Sequence, residues 1–354
     1  TSYPVISPFP RRITTGNYSS KSCPNIADVD NDGKQELFWV YEDRYGARIG
    51  YLVGFRPTGE ELFDIDGNVT TVSGFAKTPV MLKGQAAFGD LSGNGEQNIV
   101  VSSWEDDHRD KNAVYCYSPF DKDGDHKPDL LWEKKIPYSM FQSPVIANLD
   151  GSSDGTMEVV IKSHQTSDIF ILDHNGNELR RINPNVNDGR SCNYSALTVA
   201  DLDNDGQMEI IASYDSLGIY IWRQDGTAFT TNPFWRAGDA NLASAPVVCD
   251  LNGDGKKELV FSQHDVAVSH VYAISLEGDK TVAGWNGSQT IPYTDNGASL
   301  DHTLSVGDID NDGHLEVVIL GRGVVKAWKH TGDSIFSRSI DGLLPQIAYA
   351  ANIN

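Results

Sequence analysis

Cysteine and methionine are scarce, with four of each in 354 residues. Cys23, Cys116, Cys192 and Cys249 have no metal-type spacing between them. They therefore offer no zinc site, and buried free thiols are expected in preference to a disulfide framework. Positive charge is also short: 28 Lys and Arg stand against 49 Asp and Glu, for a formal net charge of -21. So acidic a chain repels nucleic acid, and no basic stripe offsets the repulsion. No apolar run approaches the ~20 residues that would cross a bilayer as a helix, so membrane insertion is not expected. There is no Gly-rich phosphate loop and no Gly-x-Ser-x-Gly elbow. The start, Thr1-Ser2-Tyr3-Pro4, carries no signal peptide and reads as a processed or trimmed end. Helical periodicity is missing too, and apolar residues alternate as they do in strands.

What the chain has in quantity is aspartate, and its placement is ordered. The stretch Asp201-Leu202-Asp203-Asn204-Asp205-Gly206-Gln207-Met208-Glu209 puts acids at relative positions 1, 3, 5 and 9 and glycine at 6, just ahead of the apolar run Ile210-Ile211-Ala212. Carboxylates so spaced can converge on one hard cation that takes six to eight oxygens, which calcium does. The pattern opens like an EF-hand loop, but its last acid falls at 9 instead of 12 and strands flank it. Asp28, Asp30, Asp32 and Glu36 repeat it, as do Asp250, Asn252, Asp254 and Glu258, and Asp308, Asp310, Asp312 and Glu316. These four loops hold fifteen carboxylates, so much of the acidity is metal demand.

Two further copies are degraded. Asp90-Ser92-Asn94-Gly95-Asn98 keeps the turn with a single ligand carboxylate, and is expected to bind weakly or stay empty. Asn148, Asp150, Asp154 and Glu158 accommodate an insertion. From Gly33 through Gly95, Gly155, Gly206 and Gly255 to Gly313 the steps are 62, 60, 51, 49 and 58 residues. A period of this size is that of a stacked array or a propeller blade. A separate cluster, Asp121, Asp123, Asp125 and Asp129, repeats the 1, 3, 5, 9 spacing between a third and a fourth strand, where Lys122 and Lys127 make a solvated turn the competing reading.

These copies resemble the FG-GAP and VCBS repeats of calcium-binding β-propellers, a group that includes integrin α-chain heads, propeller lectins and propeller-shaped polysaccharide lyases. The resemblance covers residues 22 to 354 and implies an all-β propeller, a single domain over 1–354, with calcium loops between first and second strands of each blade. Seven blades are expected, and six with a docked tail is the alternative. The segment 344–354 resembles the inner strand near Ala245, and residues 1–21 would supply the strand that closes the ring. Loops of this open type need the millimolar calcium found outside cells, so a secreted or cell-surface location is expected. In blade one the expected strands run from Pro24 to Val29, Glu36 to Tyr41 and Ile49 to Phe55, with a fourth after the Pro57-Thr58-Gly59 turn.

Metal loops would share one face of such a ring with the hairpins joining third and fourth strands. Ligand sites in propellers occupy the other face, as the resemblance implies, where loops between second and third strands meet the interblade links. Those loops carry Tyr41, Arg44, Trp104, His108, Arg109, His164, Tyr214, His264, His302 and Arg322. Aromatic plates beside acids and Arg forks suit a glycan, whose ring faces are apolar and whose rim is hydroxyl. The leading expectation is a glycan-binding module, on its own or within a larger adhesin or enzyme. A lyase acting on a uronate polymer by β-elimination is the second, and a protein-binding adhesion propeller the third. No lyase signature beyond the scaffold matches, so catalytic candidates are positional only: His164, His264 and His302 as bases, with Tyr194, Lys162 and Arg322 beside them.

Overall fold

The computed structural model describes residues 18–19, 24–43, 47–63, 72, 74–105, 109–136, 138, 140, 142–164, 166–184, 197–214, 217–236, 241–242, 245–264, 268–277, 282, 285, 289–292, 303–321 and 324–339. These form six antiparallel sheets of three to five strands, and the one helical segment among them is a single 3-10 turn at Arg109–Lys111. Two compact units divide the chain, Thr1–Asn185 and Val186–Asn354, with three sheets in each.

In the first unit, sheet one contains Asn25–Ala27, Glu36–Asp43, Gly50–Phe55 and Ala76–Thr78; sheet two contains Ala87–Gly89, Asn98–Ser102, Ala113–Tyr117 and Leu130–Lys135; sheet three contains Val145–Ala147, Glu158–Lys162, Ile169–Leu172 and Glu178–Ile182. In the second unit, sheet four contains Leu197–Ala200, Glu209–Tyr214 and Gly218–Trp222; sheet five contains Val247–Cys249, Glu258–His264, Val268–Ser275 and Gln289–Pro292; sheet six contains Thr303–Gly307, Glu316–Gly321, Val324–Trp328 and Ser334–Ser339. Each runs as a meander in chain order.

The second and third strands are runs such as Ile99-Val100-Val101 and Val159-Val160-Ile161, buried on both faces. Burial on both faces explains why they read as continuous apolar runs. The fourth strands of sheets two, three and six are exposed along most of their length, as at Glu178–Ile182, whereas Ala76 and Thr78 of sheet one are buried. Within each unit the sheets stack face to face. Phe38, Leu52 and Phe75 of sheet one pack against Ile99, Val101 and Tyr115 of sheet two, and Val100 and Val114 pack against Ile161 and Phe170 of sheet three. In the second unit Ile211 and Ile221 meet Leu259 and Phe261, and Val260 and Val271 meet Val317 and Trp328.

The chain after Pro57 makes only a single bridge, Phe55 to Glu61, and the fourth strand of sheet one is Ala76–Thr78, paired with Gly50–Leu52. The tight turn uses up the local bonds, with Gly59 N donating to Arg56 O and Arg56 N to Glu60 O. Tyr18–Ser19 pairs with Glu42 and Asp43, so it prolongs the first-strand edge of sheet one; the other residues of 1–21, apart from these two, and the segment 344–354 lie outside the described residues. In Asp173-His174-Asn175-Gly176, Gly176 alone takes positive φ, at 80°, and the ladder shifts register beside it. This is a glycine-bulge hairpin.

Sheet four has three strands because Asn232 stands in for a fourth. Its side-chain amide accepts from Ile221 N at 2.9 Å and donates to Ile221 O at 3.1 Å, which satisfies the edge without a ladder. Gly218 opens the third strand there at φ +130°, and a Cβ would lie 1.8 Å from Trp235 O, the acceptor of Ile219 N. Gly218→Ala should therefore cost about 3 kcal/mol in urea unfolding, against about 1 kcal/mol for Gly33→Ala, where space is open and only φ is strained. Equal costs would mean that the Trp235 approach relaxes freely.

Candidate functional site

The acid loops fold alike although sequence alone gave only their spacing. In the loop from Asp201, Oδ1 accepts Asp205 N at 3.1 Å, Oδ2 accepts Gly206 N at 3.0 Å, and Asp205 Oδ1 accepts Gln207 N at 2.8 Å. Leu202 N donates to Glu209 Oε2 at 2.8 Å. The loops from Asp28, Asp250 and Asp308 make the same set. Position 6 needs φ near +85°, and Gly33, Gly206, Gly255 and Gly313 provide it.

Position 9 carries the fit to a cation. Glu36 and Glu316 are fully buried; in each, Oε2 takes the backbone N–H and Oε1 is buried with no hydrogen-bond partner. An acceptor in that state lacks a positive partner. Burial, with Asp203, Asp205 and Asp201 adding to it, pushes the Glu209 carboxyl up to about 7. Burial also raises Glu36, Glu158 and Glu258. A divalent ion would reverse each of these penalties. Oxygens of Asp28, Asp30 and Asp32 lie within 4.8 Å of one another, as do those of Asp201, Asp203 and Glu209, and of Asp308, Asp310 and Glu316.

The acids of the other three copies are not gathered so closely among the described residues. Asp250, Asp254 and Glu258 share the loop fold, with Asn252 in place of one acid. Around Asp150, Asp154 and Glu158 the insertion puts Ser152 N on Asn148 Oδ1 at 3.1 Å and on Asp150 Oδ1 at 2.8 Å. In the copy from Asp90, Asn98 Oδ1 takes Leu91 N at 3.2 Å, which leaves an amide NH2, not an oxygen, as the other end of the side chain. The cluster Asp121, Asp123 and Asp129 does converge within 4.8 Å. It adopts the same skeleton, Asp125 N and His126 N on Asp121, with His126 at φ +66° where the others use glycine.

At the second-to-third-strand end of the first unit, the structure assembles a cluster around the expected Trp104. Lys83 Nζ lies 3.9 Å from the Trp104 ring centroid and 3.6 Å from Glu42 Oε1, with both charged side chains 3% exposed. Trp104 N bonds Met81 O at 2.8 Å, which brings the loop against the link that carries Lys83. Next to Trp104, buried Glu105 takes a fork from Arg48, Nε to Oε2 at 2.9 Å and Nη2 to Oε1 at 2.6 Å. Arg48 reaches it from a left-handed backbone at φ +55°. Arg48 and Lys83 are separated from their partners by tens of residues, so no local signal marked them.

The other expected site residues divide four ways. Tyr41, Lys162 and Tyr214 are buried: Tyr41 stacks on Tyr51 at 4.7 Å, and Tyr214 packs edge-on to Tyr220 and Trp222. His164 is half-buried in a loop that Asp168 pins, its Oδ2 accepting from Thr166 Oγ1 at 2.7 Å and from Arg181 Nε at 2.9 Å. Arg109 and His264 are placed by backbone alone, in the 3-10 turn and opposite Ser269 and Asn241. Arg44, His108, Tyr194, His302 and Arg322 lie outside the described residues. Cys116 and Cys249 are free thiols, each pushed up to about 12 by burial; Cys23 and Cys192 lie outside the described residues.

No protein-family model matches the chain. No curated protein matches it either. Solved structures do match in shape. The exotype rhamnogalacturonan lyase YesX shares 16% identity over 90% of this chain and 57% of its own, with a TM-score of 0.53. A rhamnogalacturonan lyase from Bacillus licheniformis shares 14% over 91% of this chain and 57% of its own, at 0.51. BBS1N, solved in complex with ARL6DN, shares 11% over 93% and 83%, at 0.52. The chain thus spans a little over half the length of the lyases it matches. At these identities the likeness is one of fold, an all-β array of antiparallel sheets that also serves a protein found in complex with another protein.

Proposed function

We propose that the chain is a calcium-stabilised β-propeller module that binds a glycan outside the cytoplasm, with the six sheets as blades and a seventh contributed by the chain ends. The Trp104 cluster carries the reading. A half-buried indole, braced from beneath by the buried Lys83–Glu42 pair and flanked by the partly exposed Arg48 of the Arg48–Glu105 fork, sets an apolar plate beside a cation at the loop end opposite the metal loops. That combination suits a sugar, whose ring face stacks and whose hydroxyls bond the rim. The shape match over about nine-tenths of the chain to two rhamnogalacturonan lyases supports the same ligand class.

The test is retention on a panel of pectic, algal and gum polysaccharides in calcium, with ultraviolet absorbance of unsaturated uronate ends followed in parallel. Saturable retention that weakens roughly tenfold in Trp104→Ala is the expected result. Absorbance that grows with time and is lost in His164→Ala or His264→Ala would establish the lyase reading. That second reading rests on the lyase neighbours. Silence in both arms would overturn glycan recognition and turn attention to a protein partner.

A further inference from the structure

The rung of each sheet that faces the ninth loop position carries a pattern of its own. Leu37 pairs with Phe55, Ile210 with Trp222 and Val317 with Trp328, so the next residue across from Glu36, Glu209 and Glu316 is Arg56, Arg223 and Lys329 respectively. In sheet five Glu258 pairs with Ser275 itself, and in sheet two the residue after Tyr117, opposite Asn98, is Ser118. The rung is cationic where loop position 3 is an aspartate, at Asp30, Asp203 and Asp310, and serine where position 3 is neutral, at Asn252 and Ser92. Sheet three breaks the rule with Asp173, but its loop contains the insertion, and the Asp173 carboxylate is taken up by Asn175 N, Asn177 N and Asn177 Nδ2 of its own hairpin.

Geometry ties the two positions together. Arg56 Nη1 lies 3.0 Å from Asp30 Oδ2, Arg223 Nη2 3.7 Å from Asp203 Oδ2, and Lys329 Nζ 3.5 Å from Asp310 Oδ2 and 3.0 Å from Asp312 Oδ2. Over the ligand positions and the rung, the loops from Asp28, Asp201, Asp250 and Asp308 each come to three net negative charges. A fourth carboxylate is present only where a cation can neutralise it.

We propose that Arg56, Arg223 and Lys329 are built-in counter-ions that hold the third-position aspartate when calcium is absent and oppose the ion when it binds, setting the affinity of these three sites close to that of the Asn252 loop. The proposal rests on the calcium reading above. A cation this near a divalent ion repels it, so its removal tightens binding, roughly three- to tenfold for a solvent-accessible charge. The same removal leaves four carboxylates facing one another in the calcium-free protein, which lowers its melting temperature. A residue that only packed would weaken both states.

The experiment is calorimetric calcium titration and chelated melting of three proteins: wild type, Arg56→Ser/Arg223→Ser/Lys329→Ser, and that triple variant with Asp30→Asn, Asp203→Asn and Asp310→Asn added. The triple variant should bind calcium three- to tenfold more tightly and melt lower in chelator; the sixfold variant, which copies the Asn252–Ser275 pairing, should return to within about twofold of wild type in affinity. If the triple variant folds poorly, Lys329→Ser alone carries the same test, through one tightened site. Unchanged or weakened affinity in both the triple variant and Lys329→Ser overturns the counter-ion role. Wild type that takes up no calcium overturns the calcium reading itself, a separate outcome.

Discussion

Removing calcium at pH 8 should lower the melting temperature by on the order of 10 °C. Each ion at a hundred times its dissociation constant adds about 2.7 kcal/mol, and the three closely gathered loops together about 8. A chain of this length moves about 1–2 °C per kcal/mol. The gap should also depend on pH, with a sign fixed by Glu209. In the metal-free fold its carboxyl titrates at about 7, against an ordinary 4.5, chiefly through burial. Between those values the folded state keeps a proton that the unfolded state has lost, so metal-free stability falls as pH rises through the window. Burial raises Glu36 and Glu258 as well, which deepens the fall. Bound calcium holds the carboxylates ionised and removes it. Melts from pH 5 to 8, in calcium and after stripping, should therefore show a widening gap; a gap that stayed flat would place the stabilising ion elsewhere.

The metal loops were legible in the sequence because everything that shapes them is local. Asp201 bonds residues four and five positions on, Gly206 relieves the left-handed turn, and Glu209 reaches back seven residues, so spacing alone encodes the fold. Strand positions were legible for a related reason: runs such as Ile210-Ile211-Ala212 fit only a strand buried on both faces. What escaped notice depends on packing across long separations. Arg48 and Glu105 are 57 residues apart, and the fourth strand of sheet one, expected after the Pro57-Thr58-Gly59 turn, begins only at Ala76, a start that no local signal marks. The polar residues of a second-to-third-strand loop look alike in sequence. Burial then separates them, sending Tyr41 and Tyr214 into the core while Trp104 stays half-exposed. The rung cations were in plain view at Arg56, Arg223 and Lys329, but only strand register shows that they answer the third loop position.

Lys83→Ala should be among the costliest single changes in the first unit, about 3–5 kcal/mol in urea unfolding. Its ammonium and the Glu42 carboxylate are both desolvated, and loss of the cation leaves the anion buried without it. The Trp104 face adds a smaller share, about 1–2 kcal/mol for a cation held out of water, which Trp104→Leu would remove. Lys83→Met/Glu42→Gln separates charge from packing: it keeps both stems and removes both charges, and should cost less than about 1.5 kcal/mol. A single variant no worse than the double would mean that the buried Glu42 carboxylate tolerates the loss of Lys83. The comparison also bears on glycan recognition, because the double variant keeps the Trp104 side chain while removing the charges beside it. Retention that survives Lys83→Met/Glu42→Gln and fails in Trp104→Ala would assign the contact to the ring face; loss in both would mean that the buried pair is needed to hold the ring in its binding position.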